Sequence, residues 1–260
     1  AGFRVIRFDN RDVGLSSKIE GRYTPSMLRL IMSMLLGRKL RRPPYTLEDM
    51  AADTLGLLDA LNIAQAHIVG VSMGGMIAQI IAARFPLRVL SLTSIMSTSG
   101  DRKASAMELR DLRKIFLRPR PPSDATRDQV VEHMASTYEI IGSAEHLREV
   151  SYLRKMLSDS FDRGYYPAGF MRQTTAIVAN GSRRTLLKLI KAPTLVIHGK
   201  RDILVPPGGG LDTAAHIRGA RMELIDDMGH DLAPGLWNTI SALIIQHCRQ
   251  AAVPAGKTRV

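Results

Sequence analysis

The chain has 260 residues, enough for one large domain or for a core domain that carries an insertion. Hydrophobic residues make up 45% of it, which excludes a disordered chain, and no apolar run reaches the roughly 18 residues of a membrane span. The net charge of +12 makes nucleic acid a candidate partner. However, the basic residues are scattered among acidic ones and no aromatic residues interleave with them, so we expect no nucleic-acid binding.

The first predicted element is a strand over residues 3–8 (FRVIRF), directly after Ala1. No signal peptide and no initiating methionine precede it. We therefore expect the natural protein to be longer at its N-terminus, and we expect it in the cytoplasm.

Residues 27–36 (MLRLIMSMLL) predict an apolar helix, for which two roles stand open. It could anchor the protein at a membrane surface, but we favour a helix packed at the mouth of a pocket. A tight basic group follows it, which we interpret as solvated surface: Arg38, Lys39, Arg41 and Arg42.

Short apolar runs then alternate with helical patterns, which predicts βαβ units and a mainly parallel sheet. Thr46, followed by acidic residues in the first turn, predicts the start of one helix, and a second helix should run from Ser72 to about Phe85. The further strands are predicted at residues 66–71, 89–95, 193–198 and 221–226.

The strand signal disappears between about residues 100 and 185, where helical patterns alternate with Pro and Gly. This pattern predicts a helical lid over 100–185, inserted into an α/β core formed by residues 1–99 and 186–250. Residues 251–260 are predicted to be a flexible tail.

The sequence Gly70-Val71-Ser72-Met73-Gly74 follows a predicted strand and opens a predicted helix. This is G-x-S-x-G in the context of a nucleophile elbow, where small residues allow a sharp turn that exposes the serine oxygen. The N–H of Met73 would help to bind a developing oxyanion. The alternative is an ordinary glycine-rich turn.

A nucleophilic serine needs a base that is oriented by an acid. Asp202 follows the strand that ends at His198, and His230 follows the next strand, so both side chains should lie at the sheet edge that carries Ser72. Alone, Asp202 could cap a loop and His230 could be a surface residue. Their order and positions together predict a triad of Ser72, Asp202 and His230, with His198 as a hydrogen-bonded core residue.

These segments resemble the α/β-hydrolase fold-1 superfamily, in particular its esterase-like members, which include aclacinomycin methylesterase-like enzymes. The resembling segments are residues 8–16 (FDNRDVGLS), the elbow at 70–75, residues 198–202 (HGKRD) and Gly229-His230. The resemblance implies an α/β-hydrolase fold that lacks its first strands, with Ser72 as nucleophile, Asp202 as acid and His230 as base. It also implies that the turn containing Asp9, Arg11 and Gly14 borders the substrate pocket.

The sequence departs from the family pattern at its front. Family members carry a His-Gly type loop before the first strand seen here, and a backbone N–H of that loop is the second oxyanion donor. We expect this donor upstream of the present chain, and the chain as given could be an inactive fragment.

The expected function is hydrolysis of a small to medium, mainly apolar carboxylic ester through an acyl-enzyme. The same triad could instead serve C–C bond hydrolysis, acyl transfer or perhydrolysis, or the scaffold could only bind a ligand. No grouping of His, Cys and carboxylates suggests a metal site, and no cofactor is implied.

Overall fold

The structure is a computed structural model that describes residues 1–21, 25–36, 40, 42–119, 121–122, 124–143 and 150–252. Its sheet has four parallel strands in the order β1-β2-β3-β4, which are Ala66–Val71, Val89–Ile95, Thr194–Gly199 and Arg221–Ile225. All four agree with the predicted strands to within a residue at each end. The parallel α/β architecture predicted from the sequence is therefore confirmed.

The predicted strand over residues 3–8 is wrong. Residues 1–10 form no regular element, and the side chains of Phe3, Val5, Ile6 and Phe8 are exposed. A strand requires a hydrogen-bonded neighbour, and the described sheet ends at β1 without pairing to this segment. The segment lies beside that edge, where the Phe3 ring meets the His67 ring edge-on.

Helices connect and cover the strands. They are α1 (Met27–Leu36), α2 (Leu47–Ala60), α3 (Met73–Arg84), α4 (Leu109–Phe116), α5 (Arg127–Ile141), α6 (Val150–Gly164), α7 (Pro167–Asn180), α8 (Arg184–Leu187), α9 (Gly208–Ala215) and α10 (Trp237–Ala251). Short 3-10 turns lie at Pro86–Arg88 and Pro234–Leu236. The predicted start of α2 is confirmed, because Thr46 and Asp49 form a reciprocal capping box that satisfies two free N–H groups.

The sheet is buried on both faces. On one face α2 and α3 pack through residues such as Leu47, Met50 and Ile80, and on the other α10 packs Ile240 against Ile95 and Ile197. The inner strands β2 and β3 are almost wholly buried, as expected for a parallel sheet covered by helices. This leaves the carboxyl ends of the strands as the free edge on which a site can be built.

Helices α4 to α8 lie between β2 and β3 in the chain, and we call them the inserted helices. Within them, α5 and α6 share a small core of Val131, Ala135, Leu153 and Leu157. The division of the chain into core, lid at 100–185 and tail at 251–260 stays a prediction. Residues 253–260 lie outside the described residues, as do Arg38, Lys39 and Arg41 of the basic group. No described helix is long and apolar enough to cross a membrane.

Candidate active site

Ser72 stands at the sharp turn between β1 and α3, with φ 52° and ψ −117°. Positive φ is rare for a residue with a side chain and signals a turn that its surroundings enforce. The backbone N–H of Ser72 donates to Ile95 O at 2.9 Å, which ties the turn to β2. The hydroxyl is thereby presented at the carboxyl edge of the sheet.

Small residues make this turn possible. A Cβ at Gly70 would lie 2.1 Å from the carbonyl oxygen of Gly74, and a Cβ at Gly75 would lie 2.6 Å from Cβ of Ser97. Contacts this short do not occur between real atoms, so both positions require glycine. The elbow geometry expected from the sequence is present.

Of the three residues predicted as a triad, His230 lies within hydrogen-bond distance of both Ser72 and Asp202. His230 Nε2 is 3.0 Å from Ser72 Oγ, and His230 Nδ1 is 2.7 Å from Asp202 Oδ2. Because a carboxylate only accepts hydrogen bonds, Nδ1 carries the proton and Nε2 presents a lone pair to the serine hydroxyl. This is the imidazole tautomer that can remove a proton from Ser72.

Asp202 is buried, with an exposed fraction of 2%, and both its oxygens are occupied. Oδ1 accepts from the N–H groups of Leu204 at 3.0 Å and Val205 at 2.8 Å, while Oδ2 faces His230. Burial alone would raise the pKa of Asp202, but hydrogen bonds from His198 and His230 and the N–H of Val205 lower it below its ordinary value. The carboxylate is therefore held in its charged form.

His198 is the hydrogen-bonded core residue that the sequence predicts, since its side chain is fully buried and Nε2 lies 2.8 Å from Val205 O. A contact that the sequence did not predict is its Nε2 at 3.4 Å from Oδ2 of Asp202. Val205 O can only accept, so Nε2 carries the proton, and its single N–H lies between Val205 O and the more distant Asp202 carboxylate. The four-residue spacing of His198 and Asp202 across the end of β3 is the signal that could have indicated it.

Met73, the predicted oxyanion donor, is the first residue of α3. The N–H groups of a first helical turn have no partner within the helix, and the helix dipole adds partial positive charge there. The backbone position of Met73 therefore suits the donor role, which stays a prediction.

The turn at residues 9–14 makes structural contacts. Oδ2 of Asp9 accepts from the N–H of Leu15 at 2.9 Å and from Arg163 at 2.8 Å, and the hydrogen bond from Arg163 is the main cause that lowers the pKa of Asp9. Gly14 has φ 50°, and a Cβ there would lie 2.2 Å from Asp9 Oδ2.

Nε and NH2 of Arg11 each donate to a carboxylate oxygen of Asp53 on α2 at 2.6 Å. None of the hydrogen bonds or ion pairs among the described residues joins Asp9, Arg11 or Gly14 to the triad. That they border a substrate pocket stays a prediction.

The same turn contains a buried ion pair that the sequence did not predict. Asp12 has an exposed fraction of 0%, and Arg172 of α7 reaches it through Nε at 2.7 Å and NH2 at 3.1 Å. The two residues are 160 positions apart, so no local pattern predicts the pairing. The pair fastens the 9–14 turn to the inserted helices.

Residues 1–233 match the family model described as alpha/beta hydrolase fold, and the chain therefore belongs to the α/β-hydrolase fold family. It is 25% identical to rhodomycin D methylesterase DnrP of Streptomyces peucetius over 97% of this chain and 84% of that protein. It is 28% identical to monoacylglycerol lipase abhd6-B of Xenopus laevis over 66% of this chain and 51% of that protein. The resemblance inferred from the motifs is confirmed.

Solved structures show the same fold. An enol-lactonase from Burkholderia xenovorans LB400 aligns with a TM-score of 0.60 at 22% identity, over 92% of this chain and 76% of its own. A meta-cleavage product hydrolase from Pseudomonas fluorescens IP01 aligns with a TM-score of 0.65 at 21% identity, over 80% of this chain and 73% of its own.

Proposed function

We propose that this α/β-hydrolase is a serine esterase that cleaves a small to medium, mainly apolar carboxylic ester through an acyl-enzyme. The observation that carries the proposal is the imidazole of His230, which lies 3.0 Å from the Ser72 hydroxyl and 2.7 Å from the Asp202 carboxylate. A hydroxyl, a base in the correct tautomer and an orienting carboxylate are what acyl transfer to serine requires. Relatives that are a methylesterase and a monoacylglycerol lipase support an ester as substrate.

In the acylation step, Ser72 Oγ attacks the ester carbonyl carbon while His230 Nε2 takes the hydroxyl proton. The carbonyl oxygen becomes an oxyanion toward which the Met73 N–H is directed. The intermediate collapses by breaking the bond to the alcohol oxygen, which leaves with the proton returned from His230 Nε2. The acyl group is then esterified to Ser72.

In the deacylation step, water takes the place of the alcohol. His230 Nε2 removes a proton from water, which attacks the acyl carbonyl carbon, and the bond to Ser72 Oγ breaks as that proton returns to the serine. Asp202 stays ionised throughout and stabilises the imidazolium that forms in each step. The hydrogen bonds that lower the pKa of Asp202 suit this role.

The preference for an apolar substrate has support from α1. Its residues Leu28, Met32 and Leu36 recur every four positions and are exposed by 69%, 44% and 54%. Side chains at this spacing share one face of a helix, so they form an apolar stripe open to a partner. If α1 lies at the mouth of the pocket, as the sequence predicts, this stripe would contact the acyl or alcohol group.

Hydrolysis of p-nitrophenyl esters of graded acyl length tests the proposal. Ser72→Ala should lower kcat by about 10⁴-fold or more, because the nucleophile is lost. Ser241→Ala, at an exposed serine of α10, is the matched control and should leave kcat unchanged. Equal activity of Ser72→Ala and the wild type would refute the assignment.

Covalent labelling by a fluorophosphonate, read by mass spectrometry, separates the alternatives. An adduct on Ser72 shows an activated nucleophile, whereas a protein that only binds ligand would not label. A wild type that labels but cleaves none of the esters would assign the triad to another reaction, such as C–C bond hydrolysis.

A further inference from the structure

The loop that carries His230 is bonded to the end of α5, although the two segments are far apart in sequence. The backbone N–H of His230 donates to Ile141 O at 2.6 Å, and the N–H of Gly229 donates to Ser143 Oγ at 2.9 Å. Oδ1 of Asp231 accepts from the N–H of Ser143 at 3.1 Å and also from the Ser143 hydroxyl. We call residues 141–143 and 229–231, with these four bonds, the histidine clamp.

The clamp is buried and closely packed. Ser143 has an exposed fraction of 0% and Asp231 of 7%. A Cβ at Gly229 would lie 2.5 Å from the carbonyl carbon of Gly142, so the two backbones touch where Gly229 has no side chain. Such contact leaves the histidine loop little freedom to move independently of α5.

The side chain of Asp231 bonds Ser143. Within the described part of the chain, its Oδ2 has no hydrogen-bond partner, so its polar contacts are those that Oδ1 makes with Ser143. The phenol of Tyr138, on α5, lies near enough that the charge of Asp231 adds to burial in raising the pKa of Tyr138. A buried carboxylate is costly unless it is hydrogen-bonded, so Ser143 and Asp231 depend on each other.

The position of β4 explains why the loop needs such support. β1 and β4 are the two outer strands, three strand spacings or about 14 Å apart, and His230 must reach from one to Ser72 at the other. The loop crosses the end of β3, where Met228 O lies 2.0 Å from the position of a Cβ on Gly199. Beyond that crossing, α5 rather than the sheet holds the backbone.

We propose that Ser143 and Asp231 are positioning residues that hold His230 at hydrogen-bond distance from Ser72, and so couple the inserted helices to the triad. This inference relies on the proposed role of His230 as the base. Neither residue touches Ser72 or the reacting atoms. They act by fixing the backbone on which the imidazole is mounted.

The test measures kcat, KM and the rate of fluorophosphonate labelling. Ser143→Ala removes the hydroxyl, so we expect kcat and the labelling rate to fall by about tenfold to a hundredfold, as for a base displaced by about 1 Å, with KM unchanged. Asp231→Ala should have the same effect. Asp231→Asn keeps an oxygen acceptor for Ser143 and should stay within about threefold of the wild type.

Ser136→Ala is the matched control. Ser136 also lies on α5 and bonds Arg118 and His133 O, and none of its hydrogen bonds within the described part of the chain reaches the histidine loop. We expect its labelling rate to equal that of the wild type. If Ser143→Ala does not fold, Ser143→Cys replaces it, since a thiol is a weaker donor and should give an intermediate loss.

The double variant Ser143→Ala/Asp231→Ala should label no more slowly than Asp231→Ala alone, because either substitution already removes the contact that the two side chains make with each other. Losses that multiply would overturn the proposal, as would wild-type labelling rates in both single variants. A general weakening of the fold would raise KM and lower the melting temperature without this non-additivity.

A proton NMR measurement separates failure of the clamp from failure of the proposed function. The Nδ1 proton of His230, bonded to Asp202, should give a downfield signal that is absent in His230→Gln. The signal should broaden or vanish in Ser143→Ala and persist in Ser136→Ala, whether or not the protein cleaves an ester. An unchanged signal in Ser143→Ala overturns the clamp, while a wild type that does not label overturns the esterase proposal alone.

Discussion

Replacement of Asp202 by asparagine offers a sharp test of the site, because the structure dictates how the new amide must orient. Oδ1 of Asp202 accepts two backbone N–H groups, from Leu204 at 3.0 Å and Val205 at 2.8 Å. The NH2 of an asparagine cannot occupy that position without facing two donors. Its carbonyl oxygen therefore takes the Oδ1 position, and its NH2 faces His230.

This orientation of the amide reverses the tautomer of the His230 imidazole. The NH2 group donates to Nδ1 of His230, which then carries no proton, so the proton moves to Nε2 and points at Ser72 Oγ. An Nε2 that carries a proton cannot accept the serine proton. A wrong tautomer in an otherwise intact triad costs about 10⁴ in kcat, which corresponds to about 5 kcal/mol of transition-state stabilisation.

The assay is steady-state hydrolysis of a p-nitrophenyl ester, with the melting temperature as a check on folding. Asp226→Asn is the matched control, because Asp226 is exposed and pairs with Lys200 at the surface. It should keep wild-type kcat. An Asp202→Asn protein that folds normally and keeps more than a tenth of wild-type kcat would refute the tautomer argument.

Three further predictions concern stability, measured by urea unfolding. Gly70→Ala forces a Cβ to 2.1 Å from Gly74 O and should lower the free energy of unfolding by about 1–3 kcal/mol or more. Gly56→Ala, in an open position within α2, should raise the free energy of unfolding by about 0.5–1 kcal/mol. Equal effects of the two substitutions would contradict the steric reasoning. Arg172→Met removes the charged partner of the buried Asp12 carboxylate and should cost about 3–5 kcal/mol, and a loss below about 1 kcal/mol would count against the pair. The pKa values of Asp12 and Asp202 are lowered on folding. Their contribution to the free energy of unfolding is therefore present above the ordinary pKa of 3.8 and is lost as pH falls through the pKa values of the folded protein. A free energy of unfolding that stays constant between pH 5 and 2 would contradict this.

The sequence predicted those strands and helices that are marked by a pattern within their own residues. The strands at 66–71 and 89–95 are bounded apolar runs, and the observed strands have the same bounds. The strand predicted from Pro193 begins at Thr194, because proline has no N–H to donate to the ladder. Residues 3–8 are also rich in apolar side chains but form no strand, since strand formation depends on a neighbour that composition does not reveal.

The positions of Ser72, Asp202 and His230 could be predicted because a parallel sheet brings the carboxyl ends of its strands to one edge. The contacts around them could not. Ser143 and Asp231 are 88 residues apart, and their bond depends on how the inserted helices dock rather than on a motif. The strand position of His198 predicted its place in the core, but the contact of its Nε2 with Asp202 emerged only from the side-chain geometry.

The bond from His230 N–H to Ile141 O also constrains how this enzyme could be re-engineered. Because the inserted helices occupy one continuous stretch between two strands, they look like a part that could be exchanged for another sequence to alter selectivity. A chimaera that replaced the whole stretch would also delete the carbonyl of Ile141 and the hydroxyl of Ser143, which bond the loop of His230, the proposed general base. Exchanges confined to α6 would keep the end of α5, and with it the backbone that carries the imidazole, and would also keep Arg172 of α7 as the partner of Asp12.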